Sequence, residues 1–108
     1  MTTVSALDLP QKYLQQVQVL LREYVPEGEV WAYGSRVTGD GHEASDLDLV
    51  LRNSADLHAE NRAIHDLKEA FIESSLPSRV DVMDWARIPE SFRREIERVH
   101  VVLQDGRK

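Results

Sequence analysis

The chain has 108 residues, a formal net charge of −6 and no cysteine. This length suffices for one domain and not for two, so we expect a single domain over residues 1–108. An acidic surface repels a phosphate backbone, and stable nucleic-acid binding is therefore not expected. The lack of cysteine excludes a disulfide framework and a thiolate metal site, and it is typical of a reducing cytoplasm.

The start of the chain has neither the basic stretch nor the apolar segment of a signal peptide. No apolar run approaches the roughly 20 residues that a membrane-spanning helix needs. We therefore expect a soluble, cytoplasmic protein that does not contact a membrane. Residues 1–8 and 104–108 are predicted to be flexible tails.

The first third of the chain predicts a helix, a strand and a loop. An apolar stripe of helical spacing predicts a helix over Leu9–Tyr24, with Pro10 in its first turn. Glu29–Tyr33 is rich in Val, Trp and Tyr and is predicted as a strand. Gly34–Ser45 contains three glycines and is predicted as a loop with one helical turn near Arg36.

The middle of the chain predicts a strand and a second helix. Asp46–Arg52 alternates strictly, which is typical of a strand. One face of that strand carries Leu47, Leu49 and Leu51, and the other carries Asp46, Asp48 and Val50. Ser54 is predicted to cap the second helix, whose apolar residues repeat at helical spacing up to Pro77.

The last third predicts a strand over Arg79–Trp85, a short helix opened by Pro89 and a small edge strand over Val101–Leu103. The resulting order is helix, strand, loop, strand, helix, strand, helix. This order favours an α/β (or α+β) domain in which helices pack on a small mixed sheet of three to four strands.

Gly34-Ser35, followed after ten residues by Asp46-Leu47-Asp48, is the segment that indicates chemistry. A glycine directly after a strand allows a sharp turn and a close backbone approach to a ligand. Backbone N–H groups in such a turn attract phosphate, and the Ser35 hydroxyl can donate one more hydrogen bond. Asp46 and Asp48 leave one face of a strand, where their like charges favour a bound cation such as Mg²⁺.

A third acid, Asp81, lies between Val80 and Val82. If the two valines face the core, Asp81 leaves the opposite face of its strand. Should this strand be a neighbour of Asp46–Arg52 in register, three carboxylates converge. Two divalent ions held there could serve an in-line phosphoryl displacement.

Tyr33-Gly34-Ser35-Arg36 and Ser45-Asp46-Leu47-Asp48-Leu49 resemble the signature of the DNA polymerase β-like nucleotidyltransferases. Within that superfamily the chain is similar to the smallest branch, the minimal nucleotidyltransferases of MntA-type antitoxins. The resemblance covers most of the chain and implies the same fold. It also implies that Asp46, Asp48 and Asp81 are the catalytic acids that bind two Mg²⁺ ions. Gly34, Ser35 and Arg36 would bind the nucleotide, although Arg36 could instead hold the loop.

The resemblance further implies that ATP is the co-substrate and that the partner is a HEPN-type ribonuclease toxin. The expected reaction transfers AMP to a tyrosine hydroxyl of that toxin and neutralises it. Two alternatives stay open. The chain could be an antitoxin that acts by binding and occlusion alone, or it could modify a small-molecule hydroxyl such as that of an aminoglycoside.

Several other residues have structural interpretations that compete with functional ones. Asp84 is predicted to serve a strand end or turn, and His100 is predicted to be structural. Packing under a helix is the more common role for aromatic residues such as Trp31 and Tyr33. Loop solvation is expected for His42. No third ligand at zinc-site spacing accompanies the remaining histidines, His58 and His65.

Overall fold

The structure is a computed structural model that describes residues 7–39, 46–53 and 55–106. In this part of the chain, α-helices alternate with strands almost throughout. The elements are α1 (Gln11–Tyr24), β1 (Glu29–Tyr33), α2 (Ser35–Thr38), β2 (Leu47–Arg52), α3 (Ile64–Glu73), β3 (Val80–Asp84), a 3₁₀ turn (Trp85–Arg87), α4 (Glu90–Arg98) and β4 (Val101–Gln104).

The strands form one mixed sheet in the order β3-β2-β1-β4. β1 runs antiparallel to both β2 and β4, whereas β2 and β3 run parallel. The parallel pair is joined by a crossover that contains α3, as parallel strands require. The prediction of a small mixed sheet with helices packed on it is confirmed, and β3 and β4 are its edges.

One face of the sheet packs against α1 and α3. The alternating leucines of β2 are fully buried there, as the period-two pattern predicts. They join a single apolar cluster with buried residues of both helices. Its helical members are Leu14, Val17, Leu21, Leu67 and Phe71.

The opposite face carries a second, smaller apolar cluster. Trp31 and Val50 come from the sheet, Trp85 and Ile88 follow β3, and Ile96 comes from α4. The sheet is therefore a middle layer between α1 and α3 on one side and α4 on the other. None of the helices in the described ranges is both long and apolar enough to cross a bilayer.

Two helix starts differ from the prediction. α1 begins at Gln11, and Pro10 is its N-cap residue with extended backbone rather than a member of the first turn. The second predicted helix is shorter than expected, because the regular part, α3, begins only at Ile64. The predicted cap Ser54 lies outside the described residues.

Local side-chain hydrogen bonds explain the late start of α3. The Asn53 Oδ1 accepts hydrogen bonds from the N–H groups of Ala55 and Asp56, at 3.1 and 3.4 Å. The Asp56 Oδ1 in turn accepts one from the His58 N–H at 3.0 Å. Such bonds stabilise turns in competition with a helix. The segment before Ile64 is consequently a series of turns, and Leu57 is exposed.

Packing extends into both predicted tails. Leu7 is buried in the main apolar cluster, and the Asp8 N–H donates a hydrogen bond to the Arg36 carbonyl at 2.8 Å. At the other end, Gln104 belongs to β4. Its Nε2 donates to the carbonyls of Val25 and Gly28, at 2.7 and 2.8 Å. Residues 1–6 and 107–108, the outer parts of those tails, lie outside the described residues.

Candidate active site

Strand register aligns three polar side chains across the sheet. Tyr33 at the end of β1 pairs with Asp48 on β2, and Asp48 pairs with Asp81 on β3. Directly opposed residues on neighbouring strands share one face of a sheet. β2 and β3 are thus neighbours in the register that the sequence required, and the Asp48 and Asp81 carboxylates leave the same face. Asp46 directly precedes β2 and is exposed.

The turn after β1 requires glycine for two reasons. Gly34 has φ +85°, in the left-handed region that favours glycine. A Cβ added at Gly34 would also overlap the Oδ2 of Asp48. The backbone of this turn therefore lies directly against one of the predicted metal ligands.

The helical turn predicted near Arg36 is present as α2. It begins at Ser35, and the Gly34 carbonyl accepts hydrogen bonds from the N–H groups of Val37 and Thr38, at 2.9 and 3.1 Å. Ser35 is partly buried at the start of this turn, beside Gly34. Ser35 therefore directly follows the glycine that lies against the Asp48 carboxylate.

Arg36 is buried, with only 4% of its surface exposed. Its Nη1 donates to the Asp8 carbonyl at 2.7 Å, and its Nη2 donates to the Ser78 hydroxyl at 3.3 Å. These partners precede α1 and β3, so Arg36 links three segments around the turn. Of the two roles that the sequence left open for Arg36, this geometry favours holding the loop over contacting phosphate.

The site has a strongly negative electrostatic character. The pKa of Asp48 is raised above its ordinary value, mainly by burial and further by the negative charges of Asp81 and Asp46. The pKa of Tyr33 is raised to about 12, mainly by burial and further by the negative charges of Asp48 and Asp81. The Tyr33 phenol therefore stays protonated and neutral at neutral pH.

The donor set suits a hard divalent cation. Asp46, Asp48 and Asp81 offer only carboxylate oxygens, which Mg²⁺ prefers, and their mutual repulsion decreases when a cation lies between them. Within the described residues, no three acidic or histidine side chains are already close enough to form a complete metal cage. Asp48 and Asp81 are the two of these acids that directly oppose each other on neighbouring strands.

Tyr33 is the site residue for which the sequence favoured packing over a functional role. Its ring does pack edge-on against Phe92 of α4, with ring centroids 5.7 Å apart, so the packing prediction is confirmed. The same residue also lies beside Asp48 in the register. Its signal in the sequence was its position directly before Gly34, on the same face of β1 as Trp31.

The remaining candidates have structural roles in the described part of the chain. Asp84 accepts hydrogen bonds from the Asn61 backbone at 2.9 Å and from the Ala86 N–H at 3.2 Å, as predicted for a turn residue. His100 stacks on Trp31 with ring centroids 3.9 Å apart, and its structural role is confirmed. His42 lies outside the described residues.

Comparison with known proteins shows the family. The family described as "Poly(A) RNA polymerase, mitochondrial-like, central palm domain" matches residues 3–101. A protein of Haemophilus influenzae described as "Probable protein adenylyltransferase MntA" is 44% identical over 110 residues, which span 100% of this chain and 93% of that protein.

Two solved structures share the fold. One is a toxin–antitoxin with AMP-PNP, with a TM-score of 0.67 and 24% identity. The other is a mutant form of the toxin–antitoxin MntA–HpeT, with a TM-score of 0.66 and 22% identity. In both cases 87% of this chain and 74% of the other chain are covered.

The palm-type sheet and the row of carboxylates beside a glycine turn define a nucleotidyltransferase. The chain belongs to this nucleotidyltransferase family, in the small branch that includes the MntA proteins. Its predicted polymerase β-like fold and its assignment as an enzyme are thereby confirmed.

Proposed function

We propose that this chain is an antitoxin that transfers AMP from ATP to a tyrosine hydroxyl of a HEPN-type ribonuclease toxin and so neutralises it. The observation that carries this proposal is the alignment of Asp48 with Asp81 on parallel neighbouring strands, beside the Gly34 turn. The adenylyltransferase description of the 44% identical relative supports the choice of reaction. The toxin–antitoxin complexes among the solved structures of this fold, one of them with an ATP analogue, are consistent with the partner and the nucleotide.

Each site residue has a proposed role. The turn at Gly34 and Ser35 binds the triphosphate through backbone N–H groups and the serine hydroxyl. Asp46 and Asp48 hold two Mg²⁺ ions, and Asp81 completes the site for one of them. When bound, the ions neutralise phosphate charge and polarise the reacting oxygens. Without a neutralising charge, the triphosphate would be repelled by these carboxylates.

The proposed reaction is an in-line displacement at the α-phosphate of ATP. The tyrosine oxygen forms a bond to the α-phosphorus, and the bond from that phosphorus to the bridging oxygen breaks. Pyrophosphate leaves with the bonding electrons, and Asp81 accepts the phenolic proton. The chain contributes mainly by positioning the reactants, since this chemistry needs no covalent intermediate on the protein.

Tyr33 is not the acceptor in this scheme. Its phenol has a pKa of about 12 and its ring packs against Phe92, so the hydroxyl stays neutral and is a poor nucleophile. The acceptor phenol in the proposed reaction is that of the toxin.

The test incubates the purified chain with α-labelled ATP, Mg²⁺ and the purified toxin, and measures label and added AMP mass on the toxin. Wild type should transfer label, and Asp48→Asn should reduce transfer to background while the circular dichroism spectrum is retained. Asp66→Asn is the matched control, because it removes an exposed acid of α3 with the same change of charge. Equal transfer by the Asp48→Asn variant would overturn the proposed site.

Two outcomes would instead favour the alternatives. Full inhibition of the toxin by a chain with both Asp46→Asn and Asp48→Asn would indicate an antitoxin that acts by occlusion. Transfer of label to small hydroxyl compounds, with none to the toxin, would indicate a small-molecule nucleotidyltransferase.

A further inference from the structure

A groove of about 410 Å³ lies along the sheet edge beside the candidate site. It is bounded by the C-terminal half of α3, the loop 74–79 and the first residues of β3. We call it the β3 groove. The residues that matter for its chemistry are Lys68, Phe71, Ile72, Arg79, Val80 and Asp81.

We propose that the β3 groove docks an extended segment of the acceptor protein, which adds to the outer edge of β3 and brings the acceptor hydroxyl to Asp81. This inference rests on the proposed transfer to a protein hydroxyl and names where that protein binds. Asp81 belongs both to the groove and to the row that contains Asp48, so the groove is continuous with the candidate active site.

The edge position of β3 supports an extended occupant. β3 pairs with β2 on one side, and it is the terminal strand of the sheet in the described part of the chain. An edge strand presents backbone N–H and C=O groups that an added strand can pair with. Side chains of such a strand alternate between the two faces of the sheet. If the tyrosine of the added strand faces the Asp81 side of the sheet, the residues directly before and after that tyrosine face the side of Val80 and α3.

An exposed apolar surface lies on that second face. Ile72 is 79% exposed, more than any other large hydrophobic residue in the described ranges. It lies next to Phe71, which is largely buried and lines the same groove. An apolar residue adjacent to the acceptor tyrosine would cover Ile72 and remove this surface from water.

The charges of the groove favour an acidic segment. Lys68 and Arg79 line it in a chain whose net charge is −6, and Asp81 is the one acid among the lining residues. Within the described residues, neither cation forms an ion pair with a carboxylate. The occupant with complementary chemistry is a segment in which acidic and apolar residues flank the tyrosine.

The experiment measures two quantities for the full chain and the intact toxin: the affinity of the complex by calorimetry, and the KM for the toxin in AMP transfer. Ile72→Asp and Lys68→Glu should each weaken binding by at least about tenfold, which is the scale of a loss at an interface anchor. ATP affinity, measured without the toxin, should stay at the wild-type value. Val19→Asp and Arg94→Glu are the matched controls, since both residues are exposed on helices outside the groove.

The two proposals fail in different ways. Wild-type affinity in both groove variants would overturn the docking proposal, whether or not AMP is transferred. If wild type transfers no AMP but Ile72→Asp still abolishes binding, the groove is the docking site and the proposed reaction is wrong. If Val19→Asp weakens toxin binding as much as the groove variants do, the effect is a general one of surface charge, and the docking proposal is overturned.

Discussion

Gly34 and Asp48 lie in direct contact across β1 and β2, so that a methyl group at Gly34 would overlap the Asp48 carboxylate. We expect Gly34→Ala to displace that carboxylate and to reduce AMP transfer by at least about tenfold, a typical effect of misplacing a reacting group. The substitution also forces alanine into the left-handed region, at a cost of about 1 kcal/mol or more. Transfer assays and urea unfolding measure the two effects.

Gly39 provides the control for this prediction. It also has a positive φ, +92°, but a Cβ there would meet no atom within 4 Å. Gly39→Ala should therefore share the loss of stability and keep most of the activity. Equal loss of transfer in the two variants would show that backbone strain, and not contact with Asp48, explains the need for glycine at position 34.

The raised pKa of Asp48 predicts that its charge destabilises the fold. The folded chain holds the Asp48 proton more tightly than the unfolded chain does. Stability is therefore lost as pH rises from the ordinary carboxyl pKa of about 4 through the raised value, and the loss is complete above it. Asp48→Asn should increase the free energy of unfolding at pH 7 by a few tenths to about 1 kcal/mol, the scale for directly opposed like charges.

Urea unfolding of wild type and Asp48→Asn at several pH values checks this prediction. The advantage of the variant should disappear below about pH 4, where the carboxyl is neutral in both states. Asp66→Asn should give no gain, because Asp66 lies in the first turn of α3, where a negative charge is favourable. A variant less stable than wild type at pH 7 would contradict the repulsion between Asp48 and Asp81.

The core of the candidate site could be predicted because it depends on alternation. In β2 the leucines had to be buried, which forced Asp48 to the other face, and Val80 and Val82 did the same for Asp81. With both faces determined, only the pairing of the two strands remained open. The observed register, with Asp48 opposite Asp81, is the pairing that brings these acids together.

The parts that sequence reasoning missed depend on contacts of other kinds. Asn53 and Asp56 stabilise turns through their own side chains, so the apolar spacing that predicted a helix from Ser54 was misleading. The hydrogen bonds of Arg36 join it to residues 28 and 42 positions away. No local pattern encodes partners at such distances, so the sequence left loop holding and phosphate contact both open for Arg36, and only the fold favours the first.

Arg36→Lys separates the two roles considered for this side chain. Lysine keeps the charge but cannot reach the Asp8 carbonyl and the Ser78 hydroxyl with a planar fork. We expect a loss of about 2 kcal/mol in unfolding free energy, the scale of buried hydrogen bonds from a charged group. ATP affinity of the folded variant should be unchanged.

Urea unfolding and calorimetry with ATP test this prediction, with Arg22→Lys on the exposed surface of α1 as the control. The control should match wild type in both measurements. A variant that keeps its stability but binds ATP at least about tenfold more weakly would assign Arg36 to phosphate binding instead.

Glu29 and Arg52 form an ion pair at the border of the second apolar cluster, with side-chain exposures of 21% and 12%. The Arg52 guanidinium lies over the rings of Trp31 and Trp85, at 4.0 and 4.6 Å from their centroids. The second carboxylate oxygen of Glu29 accepts a hydrogen bond from the Trp31 indole N–H at 3.0 Å. Glu29 is therefore the counter-ion of a cation that is largely removed from water.

Glu29→Gln should reduce the free energy of unfolding by about 2 kcal/mol, because it leaves the Arg52 charge partly buried without a carboxylate. Glu90→Gln is the matched control. Its partner Arg94 lies four residues along α4 at 2.9 Å, and both side chains are more than 70% exposed. Such a pair contributes only about 0.5 kcal/mol or less, and salt screens it. Measuring the free energy of unfolding at low and high salt distinguishes the two pairs. If both variants lose the same stability and salt reduces both losses, Glu29 contributes no more than a surface ion pair.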